Sequence, residues 1–437
     1  MNSKYKKYYI FLLFFLLSIC YPILNFESFK KNLSKILPQS IKLAIKEQVI
    51  GKDRLKIMED LYNTRKIQND YNQKKFPQTE FVDINFKKLS LKKFNLKTAP
   101  AKNNKMFAKP ETTSFYLEYI DNKVLIVSVL GKFIFLDAQA LLDQRIEKVI
   151  NPEINLYEEI SKVLDVLIYN QKILISYAKL HKENCYKIGV MMANYNENLL
   201  RFEKFFSNDE CVESIYAGKI IHYKFQENEG ILLSTDALAK KKFAAQDLSS
   251  NLGKIIFIDL STFEPTIFSK GHRNPQGLFN DNGIIISTEH GPRGGDEINI
   301  IDKGNNYGWP LSSYGEPYLY EKYETHDYNY LKSHREKNFI EPVYSFVPSI
   351  GISQLIKVPK KFNHFWENDF LISSLNGGSI FRTKIDKKNN KILYNEKIFL
   401  NERIRDIIYI DELNTVLLAL ENTGSIGVIK SYKNDLK

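Results

Sequence analysis

The chain has 437 residues, 13% of them aromatic, and a formal net charge of +11. Such a charge invites a nucleic-acid partner, yet residues 1–110 hold 23 Lys/Arg against 8 Asp/Glu, while the rest hold 39 against 43. The basic excess belongs to the N-terminal region, and a basic stripe for nucleic acid is excluded from the main body.

Residues 8–24 are almost unbroken apolar sequence behind Lys4, Lys6 and Lys7. A cationic flank before an apolar run marks an export segment whose lysines stay cytoplasmic. No small-x-small cleavage site follows, and Ile19 before Cys20 makes a poor lipoprotein site. Residues 1–25 are therefore expected to be a signal anchor in the inner membrane, facing the rest of the chain into the periplasm; a cleaved signal is the alternative. Residues 26–110 are lysine-rich and glycine-poor, with Ile41, Ala44 and Ile45, then Leu55, Met58 and Tyr62, at helical spacing. They read as a partly helical stalk or a solvated linker, and such lysines suit anionic headgroups. Two prolines, Pro100 and Pro110, mark the boundary to the next domain, 111–437.

Beyond residue 111 the texture changes to short β-rich runs. They fall at 115–120, 123–129 and 132–136; at 163–169, 172–177, 186–194 and 201–206; and at 219–223, 230–234, 254–260 and 265–268. Further runs lie at 276–279, 284–289 and 297–301; at 341–358, 369–373, 379–385 and 396–400; and at 405–410, 415–419 and 425–430. Six groups of roughly 53 residues suit an all-β propeller of six four-stranded blades. The absence of helical patterns between them speaks against α/β folds, and a β-sandwich is the rival architecture. Cys185 and Cys211 bracket two of these runs, so a disulfide and a pair of buried thiols are both open.

The densest stretch is 271–310, GHRNPQGLFNDNGIIISTEHGPRGGDEINIIDKGNNYGWP. Two strands are joined there by an Asp281-Asn282-Gly283 turn, the residue types of a tight hairpin. Gly291, Pro292, Gly294 and Gly295 follow, and their glycines let backbone approach a ligand closely.

HRNPQG, EHGPRGGDEIN and NYGWP resemble, in order and spacing, the signature of the glucose/sorbosone dehydrogenase family, the soluble PQQ-dependent aldose sugar dehydrogenases. The resemblance covers most of 111–437. It implies a six-bladed propeller with cofactor and sugar at one end of the central channel, and an electron acceptor to take the reducing equivalents. It places Arg273 and Asn274 against the cofactor, together with Arg403 and Arg405 of ERIRDI. Arginine's planar fork suits a tricarboxylate quinone. It implies calcium on the carbonyls of Gly291 and Pro292, oxygen donors that suit a hard cation, with Asp296 and Glu297 as holders of that loop or of a second ion. Two positions depart from the pattern. Asn376 stands where the family has a cofactor-contacting lysine. Ile215, in Ile215-Tyr216-Ala217-Gly218-Lys219, stands where the family has its catalytic histidine. His290 is then a possible substitute base, and Ile215 is expected to face the channel and leave an apolar gap. The expected activity is sugar oxidation at C1, the alternative a propeller that keeps the pocket but only binds a ligand or protein partner.

Overall fold

The computed structural model describes residues 84–91, 114–317, 330–331 and 333–431. The proposed anchor and the helical pattern of the stalk lie outside the described residues. Among those described, no helix is long and apolar enough to cross a membrane.

Six four-stranded antiparallel sheets are arranged as blades. Blade 1 holds Phe115–Ile120, Lys123–Ser128, Phe133–Asp137 and Val149–Ile150, and blade 2 Lys162–Tyr169, Lys172–Lys182, Cys185–Asn194 and Glu203–Ser207. Blade 3 holds Ile220–Phe225, Asn228–Ser234, Lys254–Asp259 and Pro265–Lys270, and blade 4 Pro275–Asp281, Ile284–Glu289, Asp296–Ile301 and Tyr344–Phe346. Blade 5 holds Ile352–Lys357, Phe370–Ser374, Ser379–Asp386 and Lys391–Phe399. Blade 6 combines Ile404–Ile410, Thr415–Leu420 and Ser425–Ser431 with Ile84–Ser90. The first-named strand of each blade touches its counterparts in the two neighbouring blades, which closes a ring around a central channel.

The burial pattern explains the strand sequences. A middle strand of a blade is covered on both faces, so it reads as a continuous apolar run rather than an alternation. Thr415–Leu420 is buried at every position, whereas the outer strand Lys391–Phe399 is mostly exposed or half-buried. Six apolar clusters fill the six interfaces between neighbouring blades. The expected 281–283 hairpin is present: Asp281 pairs with Ile284, and Asn282 and Gly283 both take positive φ, as a type I′ turn demands.

Two boundaries differ from expectation. The run 341–358 divides, Tyr344–Phe346 completing blade 4 before Ile352–Lys357 opens blade 5. Ile84–Ser90, expected in the stalk, is the outer strand of blade 6 and pairs antiparallel with Ser425–Ser431. The propeller therefore begins N-terminal of residue 111, and an early strand closes the ring on the last blade. Cys185 and Cys211 form a disulfide with Cα atoms 4.9 Å apart.

Candidate functional site

At one mouth of the channel lie the starts of the inner strands and the loops that link second to third strands. The signature stretch supplies two of these elements, the segment before Pro275–Asp281 and the loop 290–295. Asn274 donates its peptide N–H to Glu289 Oε1 at 3.2 Å, and the Arg273 N–H goes to the same oxygen. Arg273 Nη1 reaches the His290 carbonyl at 2.9 Å. One buried carboxylate thus aligns the Arg-Asn pair, leaving the guanidinium 5.2 Å from the Trp309 ring.

Blade 6 contributes the second pair of arginines. Glu421 accepts from Arg405 Nε at 2.7 Å and from Arg403 Nε at 3.1 Å. Burial works to raise the Glu421 carboxyl, but Arg405 and Arg403 hold it below the ordinary carboxylate range. Burial also opposes the Arg405 charge, which Glu421 and Tyr116 more than offset. Gln276 joins the two halves: its Nε2 donates to Asn274 Oδ1 at 2.7 Å and to the Tyr216 carbonyl at 2.9 Å, and its Oε1 lies 3.4 Å from Arg405 Nη1. Arg273, Asn274 and Arg405 are therefore linked through one hydrogen-bonded floor, with Arg403 tied in by Glu421.

The 290–295 loop is pinned by Asp296. Its Oδ1 accepts from Gly291 N–H at 3.1 Å and its Oδ2 from the N–H groups of Ile350 and Ile352, both at 3.0 Å. Of the two roles open to Asp296, holding the loop is the one its oxygens perform. A Cβ at Gly291 would collide with the carbonyls of Gly294 and Gly295, so glycine is required for this fold of the loop. Asn376 lies on the 375–378 loop at the same mouth, and its N–H donates to the Ile350 carbonyl at 3.0 Å. Glu297, in contrast, is buried beside Asn299 and Glu289, and burial raises its carboxyl well above the usual range.

The histidines separate. His272 is fully buried between Ser269 Oγ at 2.8 Å and Glu289 Oε2 at 3.1 Å, a satisfied structural residue. His290 Nε2 and Arg273 Nε are buried without a hydrogen-bond partner. Burial lowers the His290 pKa; Asp296 opposes the shift, and Arg273 and Arg405 act in the same direction as burial. Arg273 Nε, an unpaired buried donor at the mouth, is what an anionic ligand would satisfy, so the arginine-lined floor fits the quinone cofactor. The donor set at Gly291 and Pro292 is backbone oxygen only, and among the described residues no group of three or more His, Cys, Asp or Glu is arranged to hold a metal.

Ile215 does not face the channel. Its side chain is 2% exposed in the apolar core between blades 2 and 3, which also contains Leu164, Ile220 and Leu233. The expected apolar gap is therefore absent from this position: the side chain turns toward the core, and the neighbouring Tyr216 is 56% exposed. Lys219 joins the inner strands of three blades, its Nζ 2.7 Å from Asp165 and 3.8 Å from Asp406 and 4.9 Å from the Tyr116 ring centroid. Burial lifts Asp165 to about 6.

Sequence reading alone missed Glu421, Gln276 and Glu289. The signal for all three was their presence as polar residues inside or beside apolar strand runs. Such residues are costly unless paired.

The six-bladed propeller thus carries an arginine-lined floor and a glycine loop at one channel mouth. Residues 113–427 match the glucose/sorbosone dehydrogenase family, and the chain belongs to that family. It is 27% identical over 247 residues to quinoprotein glucose dehydrogenase B of Acinetobacter calcoaceticus, covering 43% of this chain and 52% of that protein. It is 30% identical over 180 residues to an aldose sugar dehydrogenase of Escherichia coli strain K12, covering 37% and 47%. The chain spans about half the length of these two relatives. In fold it is similar to the soluble aldose sugar dehydrogenase of Escherichia coli in its apo form, with TM-score 0.62, 18% identity, and coverage of 80% of this chain and 99% of that one. The PQQ-bound aldose sugar dehydrogenase of Streptomyces coelicolor superposes with TM-score 0.54 at 15% identity, covering 79% and 98%.

Proposed function

We propose that this chain is a PQQ-dependent dehydrogenase that oxidises an aldose at C1, held at the inner membrane by residues 8–24 and facing the periplasm. One observation carries the reading: Asn274 of blade 4, aligned with Arg273 by Glu289, meets Arg405 of blade 6 through Gln276. Bound there, PQQ would supply an orthoquinone that accepts a hydride. The chain's own contribution is to bind and orient it. Arg273, Arg403 and Arg405 offer planar forks to its carboxylates, Asn274 and Asn376 offer neutral hydrogen bonds, and His290 offers an unpaired ring nitrogen. Calcium would sit on the carbonyls of Gly291 and Pro292, where Asp296 keeps the loop closed. The Cys185–Cys211 disulfide accords with an oxidising compartment.

The second reading, a propeller that binds without turning over, is favoured by Ile215, which the resemblance sets at the family's base position and whose side chain cannot take a proton. One experiment separates the two. Purified protein is titrated with PQQ and calcium chloride, followed by quinone absorbance, and then given a panel of aldoses with an artificial dye acceptor. Saturable binding with dye reduction supports the dehydrogenase, and binding without reduction supports the binder. Failure to bind PQQ overturns both uses of the pocket.

A further inference from the structure

Lys162 opens the inner strand of blade 2 at the same mouth, where the family resemblance offers it no role. Its side chain is half-buried, its Nζ donates to the Ile215 carbonyl, and it lies 4.8 Å from the centroid of the exposed Tyr216 ring. The ammonium is thus seated on the segment whose family counterpart carries the base. The charged groups around it come from separate elements. Asp236, at the end of blade 3's second strand, accepts from Tyr216 N–H at 2.8 Å and from Ala217 N–H at 3.5 Å. Arg405, on blade 6, also acts on its charge. Burial is the main force against the Lys162 charge and brings its pKa down to about 8; Arg405 acts in the same direction and Asp236 against it. His290 sits instead among Arg273, Arg405 and Asp296, with the groups that orient a cofactor.

We propose that Lys162 is the proton acceptor of the reaction, taking the place of the missing histidine; this rests on the dehydrogenase reading above. In its neutral form the amine takes the proton of the sugar's anomeric hydroxyl. The C–H hydrogen leaves with both bonding electrons to the orthoquinone acceptor, and the carbon becomes the carbonyl of a lactone. Tyr216, exposed beside the amine, presents an aromatic face to the sugar. Asp236 is a positioning residue, because it fixes the backbone of 216–217 that the lysine rests on.

The test compares wild type with Lys162→Arg and Lys162→Met. Arginine keeps the cation on the Ile215 carbonyl but cannot deprotonate in the working range. PQQ affinity, read by absorbance titration, is expected to stay within about threefold in both variants, while turnover falls by ~10²–10⁴, the usual worth of a positioned base. Wild-type turnover should rise with pH along a limb centred near the value given above, and that limb should be missing from the residual activity of either variant. The lysine is also titrated independently of turnover, by NMR of ¹³C-methylated lysines in the protein without cofactor, the Lys162 signal being the one absent from Lys162→Met. Retained turnover in Lys162→Arg overturns the proposal, as does a Lys162 signal titrating with the surface lysines. A loss of PQQ affinity in Lys162→Met that Lys162→Arg restores, turnover included, makes the residue a cofactor-binding cation and also overturns it. If wild type binds no PQQ, the dehydrogenase reading fails instead, which the first titration detects on its own.

Discussion

At the scale of single residues, the floor of the mouth depends on Glu421, which is 1% exposed and serves two arginines that are themselves only about one-fifth exposed. Removing one partner of a buried ion pair leaves uncompensated charge, at a cost of about 3–5 kcal/mol. Glu421→Ala should therefore lower unfolding stability by that order in urea at pH 7. The pH dependence has a definite sign. The folded carboxyl lies below its unfolded value, so its contribution is fully present above the ordinary carboxylate pKa of about 4.3 and fades as pH falls through the lower folded one. The gap between wild type and variant should accordingly shrink in acid; a gap that widens there would contradict the assignment. Ile215 gives the opposite kind of prediction. A histidine at a site lined by Leu164, Ile220 and Leu233 buries an unpaired imidazole, costing roughly 1–3 kcal/mol. Ile215→His should be destabilised in a urea melt without any gain in sugar oxidation, and a gain would mean that the position does reach the substrate.

At the scale of elements, the strand Ile84–Ser90 bears on whether the ring can stay closed. It runs along Ser425–Ser431 in seven paired positions, from Ile84 opposite Ser431 to Ser90 opposite Ser425. Lys88 adds a 2.9 Å ion pair to Glu402, and the Leu91 N–H donates to the Gly424 carbonyl at 3.1 Å. Gly427 leaves room for Phe86, whose ring would stand 2.9 Å from a Cβ there. Removing residues 1–91 exposes a strand edge carrying Ile426 and Val428, a template for aggregation. The truncated protein should melt on the order of 10 °C lower, given about 2–4 °C per kcal/mol in a domain of this class, and should elute as oligomers in size exclusion. A truncation that melts like the full chain would show that blade 6 is stable with three strands.

At the scale of the whole molecule, the site is assembled from blades 2, 3, 4, 5 and 6, so a ligand bound at the mouth ties most of the ring together. Saturation at 100 times Kd adds about 2.7 kcal/mol to a folded state that alone binds the ligand. PQQ with calcium should raise the Tm of wild type, and Arg405→Ala should lose most of that rise; an equal rise in both would place the cofactor elsewhere. The sequence by itself determined the strand runs, because middle strands covered on both faces must be continuously apolar. It determined the 281–283 hairpin through Asn282 and Gly283, whose backbone needs residues tolerant of positive φ. The resemblance of its motifs to the family singled out Arg273, Asn274, Arg403, Arg405, Gly291 and Pro292, and hydrogen bonds through Glu289, Gln276 and Glu421 join the first four. The tertiary structure decided the rest. Blade 6 is closed by a strand more than 300 residues distant from its partner, a pairing that no local pattern announces. The direction of Ile215 depends on how its segment turns between two blades, and a one-residue alternation separates a core side chain from an exposed Tyr216. Lys162 is one lysine among many in the sequence, and only the closure of the ring brings it beside Asp236 and Arg405, where burial works against its charge.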